Sequence, residues 1–339
     1  MESIKTIVFK SRKIKEKSWK TYERYINELS NKAVEKTYES NDFLSDTEKI
    51  NEILNSYGES KRRVALSVIL VLLSPDKTMT PVAGKFPEDA SDLYKEYHEL
   101  HKNLTTQYTT KMESQTKTEK QEANWVEWPE IIKLQRKFMN EFRRLKFNKK
   151  TVSTITKDEI LKLQDYLVLS LYTLIKPRRL DYAGMKVMSY KDFQEFDDKK
   201  SHNILVVKSK VKKFFSFGPG AQKNENGSGQ QCYELVVPPS LNRVLQLFLK
   251  FNNGGSTNHT FHLLSNRRRS GPISNDGLSK QIMRIMNDEF KKSISASLLR
   301  TIFRTHYDKD GKSIKEKKAC AAEMGHSTNT AEIHYTKKD

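Results

Sequence analysis

Residues 158–182 read DEILKLQDYLVLSLYTLIKPRRLDY. From Asp158 to Ile175 the apolar residues are too dense for a one-sided stripe, which predicts a helix buried on most of its surface. Pro177 ends that pattern. Charge follows at once in Pro177-Arg178-Arg179-Leu180-Asp181-Tyr182. On the N-terminal side, Ile131, Leu134, Phe138, Phe142 and Leu145 line one face of a preceding helix. On the C-terminal side come three short strand candidates, Asn203–Val207, Lys213–Phe217 and Tyr233–Val237. A loop rich in Gly, Asn and Gln separates the last two. Pro238 and Pro239 then introduce a helix through Leu241, Val244, Leu245 and Phe248, and further helices are expected at about 276–291 and 295–306. This pattern predicts a mainly α domain with a small antiparallel β-sheet, of the α+β class.

The first third of the chain is helical throughout. Trp19, Tyr22, Tyr25, Ile26 and Leu29 fall three and four apart. Ser45 and Glu48 have capping-box spacing ahead of Ile50, Ile53, Leu54 and Tyr57. Residues 60–73 form a more buried helix stopped near Pro75, and Leu93, Tyr97, Leu100, Leu104 and Tyr108 mark another. Met112–Ala123 has almost no apolar content and reads as a linker. The expected organisation is a helical domain over residues 1–120 and a second domain over 124–339.

Across all 339 residues, Lys and Arg total 61 against 42 acidic residues, a formal charge of +19. Self-repulsion on that scale points to a polyanionic partner. Two cysteines, Cys232 and Cys320, exclude a disulfide framework and a Cys-based zinc site. The longest apolar run, Val64–Leu73, is about half of a membrane span. No apolar segment follows the N-terminal lysines, so no signal peptide is expected and the chain reads as soluble and intracellular. His98 with His101, and His259 with His262, lack the further ligands a metal needs. Gly218-Pro219-Gly220 lacks the strand and helix of a phosphate-cradling loop. Arg267–Arg269 suit phosphate contacts or a solvated loop equally.

Three local patterns occur in one order: Arg178 with Asp181, Ser297-Leu298-Leu299-Arg300, and Gly325-His326-Ser327 with Tyr335 nine residues past the histidine. Order and spacing together resemble the tyrosine recombinase (phage integrase) family, over the stretch from Arg178 to Tyr335. The Pro-Arg-Arg-Leu-Asp-Tyr form looks most like the branch of giant viruses, virophages and crypton-type mobile elements. The resemblance implies a two-domain, C-shaped DNA clamp whose tyrosine recombinase catalytic domain is the C-terminal one. It implies a site of Arg178, Arg300, His326 and the nucleophile Tyr335, a homotetramer on two specific sites in double-stranded DNA, and no metal, nucleotide or other cofactor. Cellular DNA, in a host nucleus or a viral factory, is the expected location.

The residue types suit the chemistry. Arginine forks fit the non-bridging oxygens of a phosphodiester under attack. A phenol is a poor nucleophile until a cationic site favours its phenolate. His326 can donate a hydrogen bond to the phosphate or help move a proton. The family also uses a lysine, on the turn between the second and third strands, to protonate the leaving 5′ oxygen. Counting the three strand candidates places that turn at Gly218–Cys232, whose lysine is Lys223. If Asn203–Val207 is the second strand instead, Lys210 and Lys208 qualify. Ser297 departs from the histidine of the His-x-x-Arg box and cannot carry a proton as histidine does. The competing readings are a type IB topoisomerase-like enzyme and a catalytically weak, domesticated DNA-binding protein.

Overall fold

A computed structural model describes residues 2–12, 14, 16–221, 232–252 and 260–337. The chain divides into two compact units, Met1–Ser114 and Gln115–Asp339. Among the described residues no helix is long and apolar enough to cross a membrane.

The first unit consists of α1 (Glu2–Ser11), α2 (Glu16–Val34), α3 (Thr47–Asn55), α4 (Glu59–Leu73) and α5 (Asp92–Glu113). The predicted stripe on α2 buries Trp19, Tyr25, Ile26 and Leu29 against Leu54, Leu66, Ile69 and Tyr97. The cap of α3 is Asp46, whose Oδ1 accepts from the Lys49 amide at 3.0 Å, and not Ser45 as the spacing predicts. Ser45 is already committed to a tight turn over Asp42–Ser45. The polar stretch read as a linker is largely helical: α5 runs to Glu113, and α6 (Glu119–Ala123) starts at a Thr118/Gln121 capping box. Low apolar content rules out burial but not helicity, and Glu, Lys, Gln and Ala are good helix formers. The boundary between units falls inside this stretch.

In the second unit, α7 (Trp128–Arg144) and α8 (Lys157–Thr173) lead to the sheet. As predicted, α8 is buried on every side, without a gap from Leu163 to Tyr172, and its N-terminus is closed by a Thr156/Glu159 capping box. The sheet holds β1 (Lys186–Ser189), β2 (Asn203–Val207), β3 (Lys213–Phe217), β4 (Tyr233–Val236) and β5 (Phe261–His262), in the order β4-β3-β2-β1-β5. The three predicted strands are β2, β3 and β4, and they pair antiparallel. The sheet as a whole is mixed, because β1 runs parallel to β2. A helical crossover, α9 (Tyr190–Glu195), carries the chain back between them, as a parallel pair requires.

Alternation along the strands divides the sheet's two faces. Val187, Leu205, Phe215 and Phe217 join the large core beneath α8. Ile204, Val206 and Phe214 pack with Met188 and Phe193 in a small core on the other face. The unit closes with α10 (Pro239–Phe251), α11 (Asn275–Phe290), α12 (Ala296–Lys309), α13 (Ile314–Glu323) and α14 (Thr328–Thr330), followed by a π-helical turn, Ala331–Tyr335.

Candidate active site

The site is assembled around the C-terminus of α13. The helix ends in a Schellman turn: the Gly325 amide donates to Ala322 O at 3.0 Å and the His326 amide to Ala321 O at 3.1 Å. Gly325 sits at φ +74°, in the left-handed region. A Cβ there would also lie 2.5 Å from Arg178 Nη2, so glycine is required twice over. The carbonyls left over at the helix end are taken by two arginines. Arg178 Nη1 donates to Glu323 O at 2.5 Å, and Arg300 Nη2 donates to Met324 O at 3.3 Å. Both cations sit at the negative end of the helix dipole.

Arg178 and Arg300 are each fully buried. Arg178 Nε donates to Asp181 Oδ2 at 2.7 Å, and its guanidinium lies 3.8 Å from the centre of the Phe217 ring. The acid three residues on is therefore the brace of the arginine. Burial pushes the Arg300 guanidinium down to about 10, with Tyr335 acting in the opposite direction, so it stays cationic at neutral pH. Arg178 Nη2, Arg300 Nε and Arg300 Nη1 are buried with no hydrogen-bond partner among the described residues. Leaving charged donors in that state costs free energy, which marks the cluster as built for an anion.

His326 and Tyr335 complete the cluster. Ser327 caps the next helix by accepting from the Thr330 amide at 3.2 Å. The π turn then adds one residue to the helical register, and the Thr336 amide donates to Ala331 O at 3.1 Å. The result is that the Tyr335 ring stacks on His326, with centroids 5.0 Å apart and planes at 19°, and lies 4.6 Å from Arg300 Cζ. Burial, then the charge of Arg300, pushes His326 down to about 3, so the imidazole is neutral. His326 Nδ1 is 3.0 Å from the Ser327 carbonyl, which only accepts; this contact assigns the proton to Nδ1. His326 Nε2 is thereby left as an acceptor, buried and with no partner among the described residues.

Tyr335 is only 6% exposed, and it docks on its own chain. Its carbonyl accepts from Thr305 Oγ1 at 3.4 Å, and Thr305 Oγ1 accepts from the Lys337 amide at 3.0 Å. Asp308 Oδ2 accepts from Thr336 Oγ1 at 2.7 Å and pairs with Arg304 Nε at 2.8 Å. This latch of Arg304, Thr305 and Asp308 was not anticipated in the sequence. Nor was the contact of Arg179, whose Nε and Nη2 both reach the Tyr335 hydroxyl at 3.4 Å. The i,i+4 spacing of Arg304 and Asp308 was a usable signal for their pairing. The adjacency of Arg179 to Arg178 was not.

Ser297 is exposed on the first turn of α12. Lys223 lies outside the described residues, but both ends of its loop are described. Phe217, where the loop leaves, and Tyr233, where it returns, face the Arg178 guanidinium at 3.8 and 5.7 Å. With β1 in place, Asn203–Val207 is the second strand by count, so counting alone would select the turn carrying Lys208 and Lys210. Position speaks against that turn. It lies at the opposite end of β3 from Phe217, roughly 14 Å away along the strand. Lys208 and Lys210 are exposed there, and Lys208 Nζ rests 4.2 Å from the Tyr190 ring. The buried Lys213 Nζ ties the same turn to α10, donating to Lys210 O at 2.6 Å and Asn242 Oδ1 at 2.7 Å. At the Arg178 end, Asn203 links the two halves of the site. Its Nδ2 donates to Asp181 O at 2.8 Å and its Oδ1 accepts from the Gly218 amide at 3.2 Å.

No protein-family model matches the chain, and no curated protein matches its sequence. The solved structures that match include one described as "Crystal structure of XerA recombinase", at 11% identity and a TM-score of 0.39 over 100% of this chain and 94% of that one. A likeness at that level leaves the chemistry to be read from the site itself.

Proposed function

We propose that the chain cuts and rejoins DNA by transesterification through a 3′-phosphotyrosyl bond on Tyr335, as a site-specific recombinase or integrase. One observation carries this reading. Arg178, Arg300, His326 and Tyr335, singled out by order and spacing in the sequence, lie in one cluster that keeps three buried arginine donors without an acceptor among the described residues. A phosphodiester supplies the missing acceptors. Arg178 Nη2 with Arg300 Nε and Nη1 would hold its non-bridging oxygens and strengthen as charge builds on them.

In the forward step the Tyr335 oxygen bonds to phosphorus and the bond to the 5′ oxygen breaks. The phenolic proton passes to His326 Nε2, which is an acceptor in the assigned tautomer. The 5′ oxygen takes a proton from a lysine. Lys223 is the proposed donor, because its loop is anchored at Phe217 and Tyr233. Attack by the 5′-hydroxyl of a second strand reverses these steps and exchanges strands, without a metal or nucleotide. The phosphodiester energy is retained in the covalent bond. Because Tyr335 is 6% exposed, the phosphodiester reaches it only when the cluster opens. The charge of +19 would supply phosphate affinity that falls steeply with salt. A homotetramer on two DNA sites, in a virus or mobile element, is the setting that the sequence resemblance adds to this proposal.

The test is covalent trapping on a pool of nicked duplexes of randomised sequence, so that the short cleaved strand is lost. The adduct is captured on the denatured protein and its DNA sequenced. Wild type should yield a 3′-linked adduct on a restricted set of sequences, absent from Tyr335→Phe and Arg300→Ala. Tight, salt-sensitive binding with no adduct would defeat the catalytic reading and favour a DNA-binding protein, with Ser297→His the first restoration to try.

A further inference from the structure

Arg178 and Arg300 keep donors for the phosphate, but the neighbouring Arg179 is aimed elsewhere. Its Nε and Nη2 both point to the hydroxyl oxygen of Tyr335, each at 3.4 Å. Two donors converging on one oxygen make that oxygen an acceptor and turn its own proton away from the guanidinium. We propose that Arg179 is a further catalytic residue, one that acts on the nucleophile instead of the phosphate by stabilising the Tyr335 oxygen as it loses its proton. The inference rests on the phosphotyrosyl reading above and deepens it.

Three features support this assignment. First, the contact is loose: 3.4 Å exceeds the usual 2.7–3.2 Å of an N–H···O bond. A loose contact with a neutral hydroxyl gains most when the oxygen becomes anionic, since charge-assisted bonds are shorter and roughly twice as strong. The stabilisation therefore appears on the way to the transition state and not in the resting protein. Second, Arg179 is held on a rigid support. Its carbonyl accepts from the hydroxyl of Tyr172, a fully buried residue on α8. Third, the groups around it divide the work without overlap. Asp181 braces Arg178, Arg300 borders the ring, and the neutral His326 offers the proton acceptor. Arg179 keeps all its protons throughout. The O–P bond forms at Tyr335, the phenolic proton leaves for His326, and Arg179 supplies only positive charge and two N–H donors.

The experiment compares wild type, Arg179→Gln and Arg179→Lys at saturating DNA, using a nicked duplex recovered from the trapping pool. Each protein is made with tyrosine or with 3,5-difluorotyrosine, a more acidic phenol, at position 335. Arg179→Gln should slow adduct formation by about 10²-fold, the loss typical of one donor to a developing anion. Fluorination should recover most of that loss while changing wild type little. Arg179→Lys, which keeps the charge but loses the fork, should fall between them. It carries the test if Arg179→Gln fails to fold, as a thermal melt would reveal. Loss of rate that fluorination does not recover, or no loss at all, overturns the role of Arg179 and leaves the phosphotyrosyl reading standing. No adduct from wild type on any sequence overturns both.

Discussion

The two units bury positive charge to different depths. In the first unit no described lysine or arginine is fully buried, although Arg62 Nε and Arg63 Nη1 also lack a hydrogen-bond partner among the described residues. Lys61 pairs with Glu28 at 2.5 Å and sits 4.0 Å from the Tyr57 ring, Lys32 lies over the same ring at 4.6 Å, and Arg63 lies 3.7 Å from the Tyr108 ring. In the second unit Arg178, Arg300 and Arg304 are fully buried, and all three hold donors that no group among the described residues accepts. Surface pairs contribute little to stability and tolerate exchange. A buried, incompletely satisfied arginine is kept at a cost to stability, so it is the better marker of chemistry. Net charge alone would have given every lysine the same weight.

The sharpest way to break this contrast is Arg300→Met. Removing a buried, under-satisfied charge should leave the melting temperature unchanged or raise stability by up to about 4 kcal/mol. The same change should reduce adduct formation by about 10³-fold. A protein that unfolds instead would make Arg300 a structural residue. Gly325→Ala comes next. It combines a left-handed backbone with a Cβ 2.5 Å from Arg178 Nη2, so it should cost about 1–2 kcal/mol in denaturant melts and displace the arginine, lowering adduct yield as well.

Acid should bear on the second unit through His326. His326 is held near 3 in the fold against 6.5 outside it, so between those values the unfolded chain binds the extra proton. Stability from this residue is complete above about pH 6.5 and is lost as pH falls toward 3. His326→Gln should flatten the fall in melting temperature between pH 6.5 and 4; an unchanged slope would show that the imidazole is already solvated. The smallest effect is expected in the first unit. Lys61→Ala should change stability by no more than about 1 kcal/mol and the salt slope of DNA binding by about one unit or less. A large loss of stability would mean that the Glu28–Tyr57 cluster is a core feature and not a surface one.

What the sequence made legible follows the same division. The α8 core announced itself by apolar density, and Arg178, Arg300, His326 and Tyr335 by local patterns that survive without tertiary knowledge. The first strand of the sheet did not, because four residues between Gly184 and Tyr190 give neither a run nor an alternation long enough to register. Adding that strand changes the count used to choose the lysine, and only the positions of Phe217 and Tyr233 show which end of β3 faces the arginines. Arg179 was equally hidden. Two adjacent arginines look alike in sequence, and their division between Phe217 and Tyr335 appears only once the chain has folded back from α13.

The π turn before Tyr335 bears on ancestry. A helical segment with one residue too many can lose that residue and become regular, but a single deletion between Thr328 and His334 would swing the tyrosine by about 100° around the axis. Asn329 and Glu332 are exposed, so substitution there should be tolerated where a change of length should not. Distant kin of this chain should therefore diverge in letters and still keep the interval from the left-handed glycine to the tyrosine. A search keyed to that interval should reach further than one keyed to identity.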